Sequence, residues 1–275
     1  MSVHQRQDRS AAEAAIPAQT MTAIVQHEYG PADRVLRLER VPVPVPAEGE
    51  VLVRVAAAGL DRGVWHLMTG LPYPVRLAGF GIRRPKFPVR GADVAGRVEA
   101  VGPGVEGFGP GDEVFGIGAG SFAEYVVCPA AKLAAKPERL SFVQAAAMPV
   151  SALTALQAVR DHGRVAAGQR VLVIGASGGV GSYAVQIAKA FGAHVTGVAS
   201  AAKASLVTEV GADRVIDYAA EDFADGRERY DVILDTGGHT PLRRLRRALT
   251  RTGTLVIVGS ETGGRWLGGR WRSRW

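Results

Sequence analysis

The order of apolar and polar positions predicts a strand, a glycine turn and a helix near the middle of the chain. Residues 171–174 form an apolar, β-branched run that is typical of a strand buried on both faces of a sheet. Glycines follow at 175, 178, 179 and 181. Apolar residues then recur with helical spacing, at Ala184, Val185, Ile187, Ala188 and Phe191.

Four more apolar runs follow this unit and are separated by helical stretches or turns. They predict strands at His194–Ala199, Arg214–Asp217, Tyr230–Asp235 and Thr254–Val258. Strands and helices that alternate at this spacing indicate an α/β fold with a doubly wound parallel sheet.

The glycine turn has the composition of a phosphate-binding loop. Glycines let the backbone approach a pyrophosphate, and the following helix directs its N–H groups and positive dipole end at the anion. The predicted cofactor-binding residues of the turn are Gly175, Ala176, Ser177, Gly178, Gly179, Val180 and Gly181. The spacing G-x-x-G-x-x-G departs from the commoner G-x-G-x-x-G, so a turn that binds nothing is the alternative.

The region before this unit has a different pattern. Short strands are predicted at residues 23–26, 50–57, 94–101 and 113–117, with an extended segment at 40–46, and they are separated by Gly and Pro turns. Such a series predicts a compact, barrel-like domain. Residues 141–162 then become helical, and Pro149 is expected to break this stretch into two helices that bridge the domains.

Composition and charge exclude several classes of protein. The single cysteine, Cys128, rules out a disulfide framework and a cysteine-built zinc lobe, and favours a reducing, cytoplasmic location. No apolar run is long enough to span a membrane, so we expect no membrane partner, and residues 1–20 lack the apolar core of a secretory signal. Of the net charge of +7, residues 242–275 carry +8, from nine arginines and one glutamate. A basic segment can bind nucleic acid, but no nucleic-acid-binding motif accompanies this one. We therefore expect no nucleic-acid partner.

Several motifs together resemble the medium-chain dehydrogenase/reductase superfamily, and the resemblance runs from Met21 to about Gly264. Within that superfamily the chain is similar to the zinc-independent quinone oxidoreductases and enoyl or enone reductases, some of which are labelled NAD(P)-dependent alcohol dehydrogenases. The matching stretches are Met21–Gln26, Gly49–Val55, Gly91–Gly102, Gly109–Gly116, Phe122–Tyr125, Ala145–Pro149, Leu153–Gln157 and the glycine turn.

The resemblance implies a GroES-like β-barrel domain at residues 21–145, a Rossmann domain at 146–264, and NADPH as hydride donor to a quinone or an α,β-unsaturated carbonyl. Zinc-dependent members carry a cysteine ligand where this chain has Asp61, and Gly-His-Glu where it has Gly91-Ala92-Asp93. We therefore expect no metal. The alternative set of Asp61, His66, Asp93 and Cys128 has no known zinc spacing, and His66 is expected in a loop near the cleft.

The choice of cofactor follows from the end of the second strand of the parallel sheet. An NAD-binding fold usually carries an acid there, whereas this chain has Ser200 and Lys203, so NADPH is favoured over NADH. In similar quinone oxidoreductases a Ser, a Lys and a Tyr hold the 2′-phosphate. The resemblance therefore implies Tyr218 as the third residue of this phosphate site, with Ser200 and Lys203. The resemblance also implies cofactor contacts from Thr154, Thr236, Gly237, Gly259 and Ser260.

Asp61, Trp65 and Tyr73 are the candidate substrate contacts. Asp61 occupies the position of the catalytic cysteine, Trp65 would line the pocket, and the Tyr73 hydroxyl could donate a proton to the reduced oxygen. A turn aspartate and two packing aromatics are the alternative readings.

The two ends of the chain depart from the family pattern. Residues 1–20 are expected to be a disordered extension, and residues 265–275 a basic, Trp-rich tail. Relatives continue beyond the fifth strand with segments that often form a homodimer, so a truncated end is expected here, with marginal stability, weak turnover and no such dimer. An Arg/Trp arm for a membrane surface or nucleic acid is the alternative for the tail. An inactive NADPH-binding fragment and an alcohol dehydrogenase are the alternative functions.

Overall fold

The computed structural model describes residues 19–71, 73–74 and 76–259. The predicted N-terminal extension up to residue 18, the tail at 265–275 and the proposed cofactor contact Ser260 lie outside the described residues. Within the described ranges, no helix is both long and apolar enough to cross a bilayer. The cytoplasmic location and the oligomeric state stay predictions.

The N-terminal half is built from antiparallel strands. A two-stranded sheet and a five-stranded sheet, with the order β6-β3-β4-β5-β7, are linked by the isolated bridges Ala23–Ala123 and Val25–Val89. The strands are β1 (Thr20–Gln26), β2 (Leu36–Pro42), β3 (Glu50–Ala58), β4 (Asp93–Val101), β5 (Glu113–Ile117), β6 (Tyr125–Pro129) and β7 (Leu133–Ala135). Alternating valines of β3–β6 and Cys128 fill the interior of this domain.

Two short helices lie on the N-terminal half. They are α1 (Ala32–Val35) and α2 (Arg62–Thr69), and an irregular helical turn follows at residues 76–80. The sequence pattern did not predict α2, β6 or β7. The predicted segment at 40–46 begins too late, because the strand that pairs with β1 is already formed at Leu36.

The stretch at 141–162 is divided as expected. Helix α3 (Phe142–Ala146) ends before Pro149, and Pro149 is the first residue of α4 (Pro149–Leu156), a position where its missing N–H costs nothing. A wider helical segment continues to His162. This confirms that Pro149 separates two helices.

The C-terminal half is a five-stranded parallel sheet with the order β10-β9-β8-β11-β12. The order reverses between β8 and β11, which is the arrangement of a doubly wound sheet. The strands are β8 (Arg170–Ile174), β9 (His194–Ala199), β10 (Arg214–Asp217), β11 (Tyr230–Asp235) and β12 (Leu249–Ile257), and the helices are α5 (Gly179–Ala190), α6 (Ala204–Glu209) and α7 (Leu242–Ala248). The predicted fold class is confirmed, although the last strand begins five residues earlier than expected.

Two apolar layers cover this sheet. One contains Ala184, Val185 and Ala188 of α5 against Val171 and Val173, and the other contains Leu245 and Ala248 of α7 against Leu172 and Ile233. Both faces of β8 are therefore buried, which explains its continuous apolar run. These layers cover the two faces of the sheet and do not cover the end where the carboxyl ends of the strands lie.

Candidate cofactor and active site

The glycine turn connects β8 to α5 as the sequence predicts. Gly175 has a φ of +78°, and Gly178 is the N-cap of α5, with its N–H donating to the Gly175 carbonyl at 3.0 Å. Since α5 begins at Gly179, the N–H groups of its first turn have no acceptor within the helix. They face the carboxyl edge of the sheet, as an anion-binding helix start requires.

Two of the glycines are required by their surroundings, Gly181 by close backbone approach and Gly175 by its positive φ and the nearby Thr236 side chain. A Cβ on Gly181 would overlap the Gly175 carbonyl group and lie 2.9 Å from the Ala176 Cα, so α5 can lie this close to β8 only with glycine there. A Cβ on Gly175 would lie 2.5 Å from the Thr236 Oγ1. Gly178 and Gly179 remain exposed, so the turn offers an open backbone cradle. The cradle fits a dinucleotide pyrophosphate.

Thr236 and Gly237 lie beside this turn at the end of β11. The Thr236 hydroxyl donates to the Ile174 carbonyl at 2.8 Å, across the gap between β8 and β11. The buried Asp235 carboxylate accepts from the N–H groups of Gly237 at 3.2 Å and Gly238 at 2.9 Å, and burial raises its pKa. Gly259 follows β12 next to this turn, because the Val258 N–H donates to the Asp235 carbonyl at 2.9 Å.

The three residues proposed for the 2′-phosphate lie at the ends of neighbouring strands. Ser200 directly follows β9, and its carbonyl accepts from the Lys203 N–H at 2.9 Å. Tyr218 directly follows β10, and its N–H donates to the Ala199 carbonyl at 3.3 Å. The fold thus brings a hydroxyl, an exposed ammonium and an exposed phenol to one corner of the sheet.

Helix α4 connects the two halves and lies beside the start of α5. A Cβ on Gly179 would lie 3.0 Å from the Ser151 Oγ, which places α4 directly against the glycine turn. Thr154 lies one turn later on α4, and its hydroxyl donates to the Val150 carbonyl at 2.7 Å. Ser151 is a neighbour of the turn that the sequence pattern did not indicate.

Asp93 joins the N-terminal domain to α4. It is the first residue of β4, only 2% exposed, and its Oδ1 accepts from the Val150 N–H at 2.9 Å. Burial raises the pKa of Asp93 to about 6, the Val150 N–H opposes this shift, and the charge of Asp61 adds to it. The pKa of Tyr183 on α5 is also raised, mainly by burial and to a smaller extent by the charge of Asp93. Asp93 and Tyr183 are therefore two titratable groups that lie close together where the domains meet. The sequence pattern did not indicate that they are neighbours.

Asp61 and Trp65 belong to α2. The Asp61 carboxylate is the N-cap of this helix and accepts from the Val64 N–H at 3.1 Å. The half-buried Trp65 ring stacks under the Arg62 guanidinium at 4.2 Å. His66, which the sequence placed in a loop, is instead a buried helical residue whose Nδ1 is 2.7 Å from the Leu71 carbonyl oxygen.

Tyr73 lies on the exposed side of the segment that follows α2. The Arg76 guanidinium stands over the Tyr73 ring at 4.9 Å and over the Tyr29 ring at 4.3 Å. The Arg76 Nε donates to the Gly70 carbonyl at 3.0 Å, which fixes the guanidinium between the two rings. The roles of Asp61, Trp65 and Tyr73 toward a substrate stay predictions.

No group of three or more His, Cys, Asp or Glu side chains is arranged to hold a metal among residues 19–71, 73–74 and 76–259. Cys128 is buried in the barrel core, and burial raises the pKa of its thiol to about 12.

Two family models match the chain. The model described as "Alcohol dehydrogenase GroES-like domain" matches residues 47–138, and the one described as "Zinc-binding dehydrogenase" matches residues 179–266. The chloroplast envelope quinone oxidoreductase homolog of Arabidopsis thaliana is 32% identical over 260 residues, which cover 90% of this chain and 77% of that protein.

The chain belongs to the medium-chain dehydrogenase/reductase superfamily, in its quinone oxidoreductase-like branch. Members of this branch are oxidoreductases. The 2-methylene-furan-3-one reductase of Solanum lycopersicum is 37% identical over 88% of this chain and 63% of that protein. A mycobacterial protein whose structure was solved in complex with NADPH superposes with a TM-score of 0.76 and 32% identity, covering 87% of this chain and 73% of that one.

Membership in this superfamily agrees with the two domains seen here, a GroES-like domain and a parallel Rossmann-like sheet. It does not by itself assign a substrate to this chain.

Proposed function

We propose that this chain reduces quinones or α,β-unsaturated carbonyl compounds with NADPH, without a metal. The observation that carries the proposal is the corner formed by Ser200, Lys203 and Tyr218, where no acid follows β9. An acid there would repel a 2′-phosphate, whereas a hydroxyl and an ammonium bind one. Relatives named quinone oxidoreductase and 2-methylene-furan-3-one reductase support the substrate class.

Bound NADPH would supply a hydride from its nicotinamide. The glycine turn would hold the pyrophosphate, and Thr154, Thr236, Gly237, Gly259 and Ser260 would position the rest of the dinucleotide. In this proposal Trp65 lines the substrate pocket, and Asp61, in the position of the catalytic cysteine of zinc-dependent members, contacts the substrate beside it. The Tyr73 hydroxyl would donate the proton that the reduced oxygen requires. A quinone or an enone is electrophilic without a Lewis acid, so the proposal needs no zinc.

The test is a titration of the purified chain with NADPH and NADH, followed by nicotinamide fluorescence, and then the addition of a simple quinone or an enone. We expect NADPH to bind more tightly than NADH and to be oxidised when the acceptor is added. Binding without oxidation would indicate a non-catalytic binder. Turnover only with an alcohol, together with stoichiometric zinc in the purified protein, would indicate an alcohol dehydrogenase.

A Lys203→Ala variant makes the cofactor test specific. One charge-assisted contact to phosphate contributes on the order of 1.5–3 kcal/mol, so NADPH affinity should fall by about 10- to 100-fold while NADH affinity stays constant. Lys132→Ala, which removes an exposed lysine of the N-terminal domain, is the matched control. Equal losses for both nucleotides would contradict a 2′-phosphate contact at Lys203.

A further inference from the structure

Four large apolar side chains project into solvent from residues 76–87, a segment that we call the cationic apolar loop. The exposed fractions are 73% for Leu77, 66% for Ile82, 49% for Phe87 and 37% for Phe80. Single exposed apolar residues are common on protein surfaces, but a cluster within one short segment usually marks a site of interaction.

The charges of the same loop all have one sign. Arg83, Arg84 and Lys86 are exposed, and residues 62–92 contain no Asp or Glu. Arg84 also lines a shallow hollow of about 310 Å³ with Arg34 and Arg37, where Glu28 is the one acid among the lining residues. The loop therefore presents apolar side chains among cations, which complements an anionic surface that has an apolar interior.

The rest of the domain holds this loop in place. The Tyr29 hydroxyl bonds to the carbonyls of Phe80 at 3.0 Å and Gly81 at 2.6 Å, and the Lys86 N–H donates to the Phe80 carbonyl at 2.8 Å. Arg76 anchors the start of the loop between two aromatic rings. These bonds order part of the loop backbone before any contact, which lowers the entropic cost of docking.

We infer that the cationic apolar loop docks this protein onto the surface of a bilayer that contains anionic lipids. Leu77 and Ile82 have no ring to stack on a base, and they would lower their free energy by entering the hydrocarbon boundary of a membrane. Arg83, Arg84 and Lys86 would lie at the level of the phosphate groups. This peripheral contact revises the expectation of no membrane partner, which was based on the lack of a spanning segment.

The test is flotation of the full chain with phosphatidylcholine vesicles, prepared with and without phosphatidylglycerol. We expect binding only to the anionic vesicles, and weaker binding at high salt. Each cation near such a surface contributes about a fivefold increase in partition, so Arg83→Gln/Arg84→Gln/Lys86→Gln should lower binding by ~100-fold. Leu77→Ser/Ile82→Ser should lower it by about tenfold, through lost apolar insertion.

Two further variants separate the loop from the rest of the molecule. Lys132→Gln/Arg139→Gln/Arg251→Gln removes three exposed cations outside the loop and should leave vesicle binding nearly unchanged. Arg265→Gln/Arg270→Gln/Arg272→Gln/Arg274→Gln removes the arginines of the tail and should retain most of the binding. Unchanged melting temperatures would show that all variants fold.

Three results would overturn the inference. The first is no binding of the full chain to anionic vesicles. The second is vesicle binding that persists in both loop variants and disappears in the tail variant. The third is a loop-dependent binding of an oligonucleotide, or a loop-dependent dimer in sedimentation, in place of vesicle binding.

Discussion

Gly181 is the residue that lets α5 begin close to β8. A side chain there would meet backbone atoms of Gly175 and Ala176, which cannot move independently of the strand. We expect Gly181→Ala to displace the start of α5, to lower NADPH affinity by about tenfold or more, and to lower the melting temperature. Gly109→Ala is the control, because a Cβ there has open space around it. Equal NADPH affinity in both variants would show that the turn is not the phosphate site.

Asp93 should make the stability of the protein depend on pH. Its pKa is about 6 in the folded chain, above the ordinary value of 3.8, mainly because of burial. The folded state therefore keeps this proton up to a higher pH than the unfolded state does. Stability should fall as pH rises from about 4 to about 6, by roughly 3 kcal/mol in total, and then stay level.

Asp93→Asn isolates this effect, since the amide oxygen can still accept from the Val150 N–H. Urea unfolding at several pH values between 4 and 7.5 should show the stability of the parent chain falling relative to that of the Asp93→Asn variant over that interval. Parallel curves for the two proteins would mean that the Asp93 carboxyl titrates as in the unfolded chain.

At the scale of elements, α3 depends on a reciprocal cap. The Ser141 hydroxyl accepts from the Gln144 N–H at 3.2 Å, and the Gln144 side-chain oxygen accepts from the Ser141 N–H at 2.9 Å. Ser141→Ala should cost about 1 kcal/mol of unfolding free energy, because both contacts of the box are weakened. Ser141→Asp keeps an acceptor and should retain most of the stability in the same denaturant titration. An alanine variant as stable as the parent chain would contradict a role for this cap.

At the scale of the whole molecule, cofactor binding should stabilise both halves of the chain. The glycine turn belongs to the parallel sheet, but it lies against α4, which is bonded to the N-terminal domain through Asp93. NADPH at one hundred times its Kd should add about 2.7 kcal/mol and raise Tm by roughly 5–10 °C. NADH at the same concentration should raise Tm less. A shift confined to one of two separate transitions would show that the halves unfold independently.

Local patterns were sufficient for much of the fold. The run at 171–174, the glycines after it and the helical spacing of Ala184, Val185 and Ala188 predicted β8, the turn and α5. Strands β9, β10 and β11 were predicted with their observed bounds. Buried parallel strands have continuous apolar runs, so their signal lies within a few consecutive residues.

Elements with weaker local signals were missed. Helix α2 has only eight residues and contains Gly63 and Trp65. It is too short to show a repeated helical spacing of apolar residues. Strand β7 has three residues, Leu133–Ala135, and exists because it pairs with β5. For such elements the deciding interactions are with residues distant in sequence, which a local window does not contain.

The sequence by itself determined the alternation of strands and helices, the glycine turn and the absence of an acid after β9, because each depends on residues that are adjacent in the chain. Only the tertiary structure decided that Asp93 bonds to the Val150 N–H, that Thr236 lies against Gly175, and that Leu77, Ile82 and Phe87 are exposed beside Arg83 and Arg84. Burial raises the Asp93 pKa, and burial is a property of the packed chain. No local pattern can supply it.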